Sequence, residues 1–203
     1  MSTNAVSRSP ERVLGHRALQ TRQKLTAASI ELLAVTPYRD IKVQDIARAA
    51  RTSPATFYQY FPDIEAVVLE ASQILVEATS KALNSFEDGS WSSDGLSGAT
   101  QLVDAVLDSW SEHLPLMRVL AAVAAEQDPR FMEAYFAATE PIARALTAAA
   151  PDADKELAHV LVSGLTGTAG HEDGGNIQGL SKSARRRGLA RLVHAAVTTA
   201  DDA

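Results

Sequence analysis

Between residues 36 and 62 the chain is interrupted so often that only short helices fit. Thr36-Pro37 stops a helix, because the residue before a proline is pushed out of the helical region. Arg51-Thr52-Ser53 makes a brief turn, and Phe61-Pro62 breaks the chain again. What remains is one short helix from about Val43 to Ala50, with Val43, Ile46, Ala47 and Ala50 on one face. A shorter helix runs from Pro54 to Tyr60, its proline tolerated in the first turn. Two short helices joined by a tight turn form the helix-turn-helix layout. Such a pair needs small residues where the helices cross and aromatics that wedge it against a third helix. Ala47 and Ala50 meet the first need, Phe57 and Phe61 the second.

Longer helical patterns flank this pair. Leu25, Ala28 and Leu32 recur at helical spacing and predict a first helix from near Ala18 to Val35. Asp63 is a good N-cap for a long helix to about Phe86, with Glu65 favourably placed in its first turn. Glu87 to Gly98, rich in Gly, Ser and Asp, reads as a loop. Helices are then expected over about 99–114, 115–126, 129–150 (kinked at Pro141), 152–169 and 184–200, with a glycine-rich loop over 170–179. No alternating strand pattern and no repeat occurs. The expected fold is all-α, with about nine helices in two parts: residues 1–62 as an N-terminal arm and helix-turn-helix domain, and residues 63–203 as a second helical domain.

Charge divides the chain at the same place. The whole carries −6, which excludes a basic coat over its full surface. Yet residues 1–62 hold nine Lys and Arg against four acids, a net of +5, while residues 63–203 carry −11. A basic head on an acidic body suggests that an anionic partner meets the N-terminal third. Zero cysteines exclude disulfides, thiolate zinc sites and cysteine nucleophiles together. No apolar run approaches the ~20 residues of a membrane-spanning helix. Met1 to Pro10 is polar and does not read as a secretory signal, so a cytoplasmic protein is expected.

The run Val43-Gln44-Asp45-Ile46-Ala47-Arg48-Ala49-Ala50, followed by Ser53-Pro54-Ala55-Thr56-Phe57-Tyr58-Gln59-Tyr60-Phe61-Pro62, resembles the TetR-type transcriptional repressors. The signature is a threonine-apolar-tyrosine triplet (Thr56-Phe57-Tyr58), an aromatic pair (Tyr60-Phe61) and an acid opening the fourth helix (Glu65). The resemblance covers residues 20–70; beyond them only helix number, length and order agree. Two departures stand out. Arg51 occupies a turn position where the family usually has Gly, whose backbone favours the left-handed conformation; either Arg51 adopts that conformation at a cost or the turn differs. Ile64 stands where the family often has a phosphate-binding Lys, a loss that Lys42 could offset.

What the resemblance implies is a double-stranded DNA operator as partner and a DNA-facing set of Lys42, Gln44, Arg51, Ser53, Pro54, Ala55, Thr56, Tyr58, Gln59 and Tyr60. Lys42, Tyr58 and Tyr60 would touch phosphates, which position a protein without reading sequence. Gln44, Thr56 and Gln59 could reach base edges, and Pro54 and Ala55 thymine methyls. Arg51 adds a cation beside the duplex. Arg8, Arg12 and Arg17 are either an arm along the DNA or a solvated tail.

The resemblance also implies a small-molecule pocket and a homodimer interface in the body. Phe86, Leu107, Trp110, Leu114, Met117, Phe131 and Tyr135 are the pocket candidates, with Phe136 beside them and His113, Arg118 and Glu140 as polar company. An apolar lining suits a lipophilic ligand, although helix cores use the same residues. Leu157, Val160, Leu161 and Leu165, with Leu189, Leu192, Val193, Ala196 and Val197, form two apolar stripes. They either build a four-helix bundle with a second copy or bury within one chain. Gly164 and Gly167 would let helices approach closely.

Catalytic readings find little support, and neither enzymatic activity, cofactor, metal nor membrane partner is expected. His171-Glu172-Asp173, adjacent in a glycine loop, do not present one coordination face. Gly174-Gly175-Asn176 follows a helix and lacks the Lys of a phosphate loop. Arg185-Arg186-Arg187 reads as a solvated helix start. Three functions follow: a dimeric repressor released from DNA by a lipophilic ligand, a DNA-binding regulator without such an inducer, and a helical lipophile carrier or enzyme. The charge of +5 on residues 1–62 argues against the third.

Overall fold

A computed structural model describes residues 15–150, 155–169 and 179–199. The α-helices among them are α1 (His16–Leu33), α2 (Val43–Ala49), α3 (Pro54–Tyr60), α4 (Ile64–Ala71), α5 (Gln73–Leu83), α6 (Leu96–Ser111), α7 (Leu114–Ala125), α8 (Pro129–Ala149), α9 (Lys155–Ala169) and α10 (Lys182–Thr199). Three short 3₁₀ turns (Tyr38–Asp40, Asn84–Phe86 and Ser90–Asp94) join them, and no strand occurs among the described residues. The fold is all-α, as expected. Taking α4 and α5 as one bent helix gives the nine expected.

The division between α4 and α5 falls at Ser72. Ser72 is fully buried between α4 and α5, and its Oγ donates to the Leu69 carbonyl at 2.6 Å. The same bond at Ser29 and Ser109 leaves α1 and α6 continuous, so it accompanies the break without being sufficient for it. The expected continuous helix to Phe86 is interrupted at Ser72 and ends at Leu83. At the end of α1, the Val35 N–H bonds to the Leu32 carbonyl three residues back at 3.1 Å, so the last turn tightens and the helix ends at Leu33, short of the expected Val35.

The segment expected as a loop over 87–98 is largely structured. Trp91 lies buried within it, and its indole Nε1 donates to the Ala145 carbonyl of α8 at 3.3 Å. Gly89 has φ +74°, and a Cβ there would stand 2.2 Å from the Ala148 carbonyl oxygen. A Cβ on Gly98 would stand 1.8 Å from the Trp91 oxygen. Both glycines are thus close-approach residues. Helix α8 runs through Pro141, which is buried. The glycine-rich stretch over 170–178, with His171-Glu172-Asp173 and Gly174-Gly175-Asn176, lies outside the described residues, as do Arg8 and Arg12.

One hydrophobic core runs from the head into the body, from Leu25, Ile46, Phe57 and Phe61 through Val67, Leu75 and Trp110 to Leu165 and Val193. Helix α1 packs on α2, α4 and α7, while α5, α6 and α8 form the centre of the body with α10 against α6. Because α4 packs on α1, it shares the core of the first three helices. Arg186 departs from the expected solvated arginine cluster: its guanidinium reaches from α10 to Asp104 and Asp108 of α6 at 3.0 and 2.8 Å.

Candidate nucleic-acid interface

Helices α2 and α3 are held from beneath and bare above. Ile46, Ala47, Phe57 and Phe61 are buried, with the Phe57 and Phe61 ring centroids 5.7 Å apart. The Lys42 N–H donates to Asp45 Oδ2 at 3.3 Å, so Asp45 caps the start of α2 from its third position. Ser53 Oγ accepts from the Thr56 N–H at 3.1 Å and lies 3.0 Å from Thr56 Oγ1. The Ser53 hydroxyl is therefore first of all the N-cap of α3, a role that its place among the DNA-facing residues did not anticipate. Asp63 caps α4 in the same way, accepting from the Ala66 N–H at 2.7 Å.

The bare face carries the residues that the sequence singled out. Lys42, Gln44, Arg51, Ser53, Pro54, Ala55, Tyr58 and Gln59 are exposed, Tyr58 to 60%. Thr56 and Tyr60 are half-buried. Arg51 has φ +54°, in the left-handed region. The turn thus keeps the geometry that glycine would favour and imposes it on an arginine. Arg48 extends the basic surface, 78% exposed although its guanidinium lies 3.5 Å from the Asp45 carboxylate.

A polar joint connects this head to the body. Burial and the neighbouring Glu65 carboxylate push the Tyr38 phenol up to about 12. Arg39 pairs with Glu126 at the end of α7. These residues border a groove of about 390 Å³ with Gln127, Asp128 and Arg130. The sequence marks Glu65 but not its partner Tyr38, since nothing local to Tyr38 sets it apart.

The body departs from several expectations. Phe86, Leu107, Trp110, Leu114, Met117 and Phe131 are buried in the core. Trp110 is fully enclosed among them. Of the pocket candidates, Tyr135 borders a concave space, a groove of about 420 Å³ between α8 and α9 that also includes Phe136, Thr139, Glu140, His159 and Val162. The interface candidates divide. Leu161, Leu165, Val193, Ala196 and Val197 are buried within the chain's own core, because α9 and α10 pack back onto α6 and α8. Leu157 and Leu189 are half-buried, whereas Val160 and Leu192 are 65% and 52% exposed. A Cβ on Gly164 would lie 3.9 Å from Leu189, while Gly167 faces open space.

No helix among the described residues is long and apolar enough to cross a membrane. No group of three or more potential metal-ligating side chains converges among them either.

Comparison with solved structures finds the same fold repeatedly. The chain is 20% identical to Salmonella enterica GusR, covering 91% of this chain and 97% of that one at a TM-score of 0.62. It is 20% identical to the TetR-family repressor FadR of Thermus thermophilus, solved with lauroyl-CoA, covering 85% and 92% at a TM-score of 0.59. It is 16% identical to the multidrug binding protein EbrR, complexed with imidazole, covering 84% and 93% at a TM-score of 0.61. No curated protein matches the sequence. Residues 25–71 match the family model of bacterial regulatory proteins of the tetR family, and residues 83–203 match that of the tetracyclin repressor-like C-terminal domain. With its exposed α2–α3 pair and a C-terminal match over more than half its length, the chain belongs to the TetR family of DNA-binding transcriptional regulators.

Proposed function

We propose that this regulator is a homodimeric, cytoplasmic, non-enzymatic repressor whose hold on operator DNA is relieved by a small lipophilic ligand. The observation that carries the DNA side is the exposed face of α2 and α3, where Lys42, Gln44, Tyr58 and Gln59 stand clear of the core. Lys42, Arg51, Tyr58 and Tyr60 position the protein on phosphates. Gln44, Thr56 and Gln59 read base edges, with Pro54 and Ala55 against thymine methyls. Residues 1–62 supply this head and residues 63–203 the ligand-binding and dimerisation body.

Val160 and Leu192, exposed on the last two helices, support a dimer in which they meet a second copy, with Leu157 and Leu189 at their margin. Sedimentation at micromolar concentration should give about twice 21.6 kDa, and Val160→Asp with Leu192→Asp should give the monomer. A wild-type monomer defeats the dimer. Selection from random duplexes by mobility shift, at stated salt, should return a two-fold symmetric operator; uniform binding of all duplexes defeats the repressor.

The lipophile fits best in the groove between α8 and α9, where Tyr135, Phe136 and Val162 offer apolar surface beside Glu140 and His159. The acyl-CoA complex of the Thermus relative supports a ligand of this class. A second reading, a regulator without a small-molecule inducer, is favoured by the close packing of Trp110, Met117 and Phe131. A thermal-shift screen of lipophilic compounds, with each hit titrated in the presence and absence of operator, separates the two. By linkage an inducer binds the DNA-free form more tightly, and by the factor with which it weakens DNA binding.

A further inference from the structure

We propose that Arg22 is the positioning residue that sets the angle at which α3 is presented to DNA, acting together with Glu70. It rests on α3 being the reading helix. Arg22 lies on α1, and its planar guanidinium carries five N–H donors in a fixed fork. Three helices converge on that fork. Nε donates to Glu70 Oε1 and Oε2 at 2.8 and 2.6 Å, and Nη2 donates to the same carboxylate. Nη1 donates to the backbone carbonyl of Tyr60 at 3.2 Å. The guanidinium carbon lies 4.6 Å from the Phe61 ring centroid, in cation–π range. Thr26, one turn further along α1, adds a hydroxyl donor to Glu70 Oε1 at 3.3 Å.

The Tyr60 carbonyl is an informative partner. Helix α3 has seven residues and ends at Phe61, whose backbone is extended, so the last-turn carbonyls have no intrahelical partner. Pro62 follows and brings no N–H. A cation at this end satisfies an orphan acceptor and suits the helix dipole. One side chain thus ties the C-terminus of α3 to α1 and, through Glu70, to the last turn of α4, just before the Ser72 bend. Tyr58, Gln59 and Tyr60 all move with that end. Nε, Nη1 and Nη2 each have an acceptor within the protein, so the fork is oriented by its protein partners, and the role assigned to Arg22 is one of geometry. Lysine, a point charge on a flexible stem, cannot reproduce the fork.

The test uses Arg22→Lys, Arg22→Ala and Glu70→Gln in the full chain, with melting temperature recorded for each. Affinity is measured for a selected operator and for a random duplex over a series of salt concentrations. The expected result is a fall of about tenfold in the operator-to-random ratio, comparable to removing one good base-edge interaction. The slope of log affinity against log salt should stay unchanged, Lys should fail to rescue, and Glu70→Gln should match Arg22→Lys. A slope reduced by about 1 with rescue by Lys would make Arg22 a phosphate ligand and overturn the inference. An unchanged ratio in folded Glu70→Gln would also overturn it, whatever happens to the Arg22 variants. Gln59→Ala, run in parallel, reports on α3 as the reading helix independently: if it leaves base preference intact, that reading has failed instead.

Discussion

The indole Nε1 of Trp110 donates to Thr79 Oγ1 at 2.7 Å, and neither residue has any exposed surface. Thr79 Oγ1 in turn donates to the Leu75 carbonyl at 2.7 Å, so the hydroxyl is used in both senses. This chain of hydrogen bonds links α6 to α5 at the centre of the body. Thr79→Val keeps the side-chain volume but leaves the indole N–H without an acceptor. The expected cost is about 1–3 kcal/mol in chemical denaturation. In a Trp110→Phe background the same change should cost much less, since no buried donor is then orphaned. Equal costs in the two backgrounds would mean that the hydrogen bond contributes nothing.

On DNA the exposed face should divide its labour. Lys42→Ala should weaken every duplex similarly and lower the salt slope by roughly 1 for each phosphate that the lysine neutralises. Gln44→Ala or Gln59→Ala should relax preference at particular base pairs by about 1–3 kcal/mol with little change in slope. The opposite pattern in competition assays would reverse these roles.

Arg51 is held at φ +54°, where a Cβ crowds the following carbonyl. Arg51→Gly should raise stability by about 0.5–1 kcal/mol, the relief of strain outweighing the added freedom of the unfolded chain. It should also weaken DNA binding by removing an exposed cation. A melting temperature below that of the wild type would show that the turn does not strain the arginine.

Tyr38 supplies a pH signature. Its phenol, raised to about 12 from an ordinary value of 10, binds its proton more tightly in the folded chain. That contribution to stability is complete below pH 10 and is lost as pH rises from about 10 to about 12. Ultraviolet titration should show a phenolate step near the upper value that Tyr38→Phe abolishes. Glu65→Gln should move the step down, because the carboxylate that disfavours the phenolate is gone. An unmoved step would remove Glu65 as its cause.

The legibility of the chain follows the range of the interactions involved. Residues 36–62 were readable because their determinants are local: Pro37, Pro54 and Pro62 act on their own backbone, and Phe57 and Phe61 lie one helical turn apart. The turn at Arg51 was legible as a departure that allowed either a left-handed arginine or a different turn, and the backbone takes the first. Polar composition misled over 87–98, where Trp91 and two close-packed glycines hold the segment against α8 and α6. The break at Ser72 was missed because no proline or glycine marks it in the residues around it.

What the sequence determined by itself was the all-α fold, the short α2–α3 pair and which of its side chains point outward, since periodicity and chain breaks act over a few residues. Only tertiary structure could decide which apolar stripe faces which neighbour. It buried Trp110 against Thr79, 31 residues away, and sent Leu161, Leu165 and Val193 into the chain's own core while leaving Val160 and Leu192 outside. The same holds for Arg22, whose partner Glu70 is 48 residues distant. An apolar or charged residue shows its period along a helix, but its partner is chosen by how helices pack, and that depends on the whole chain.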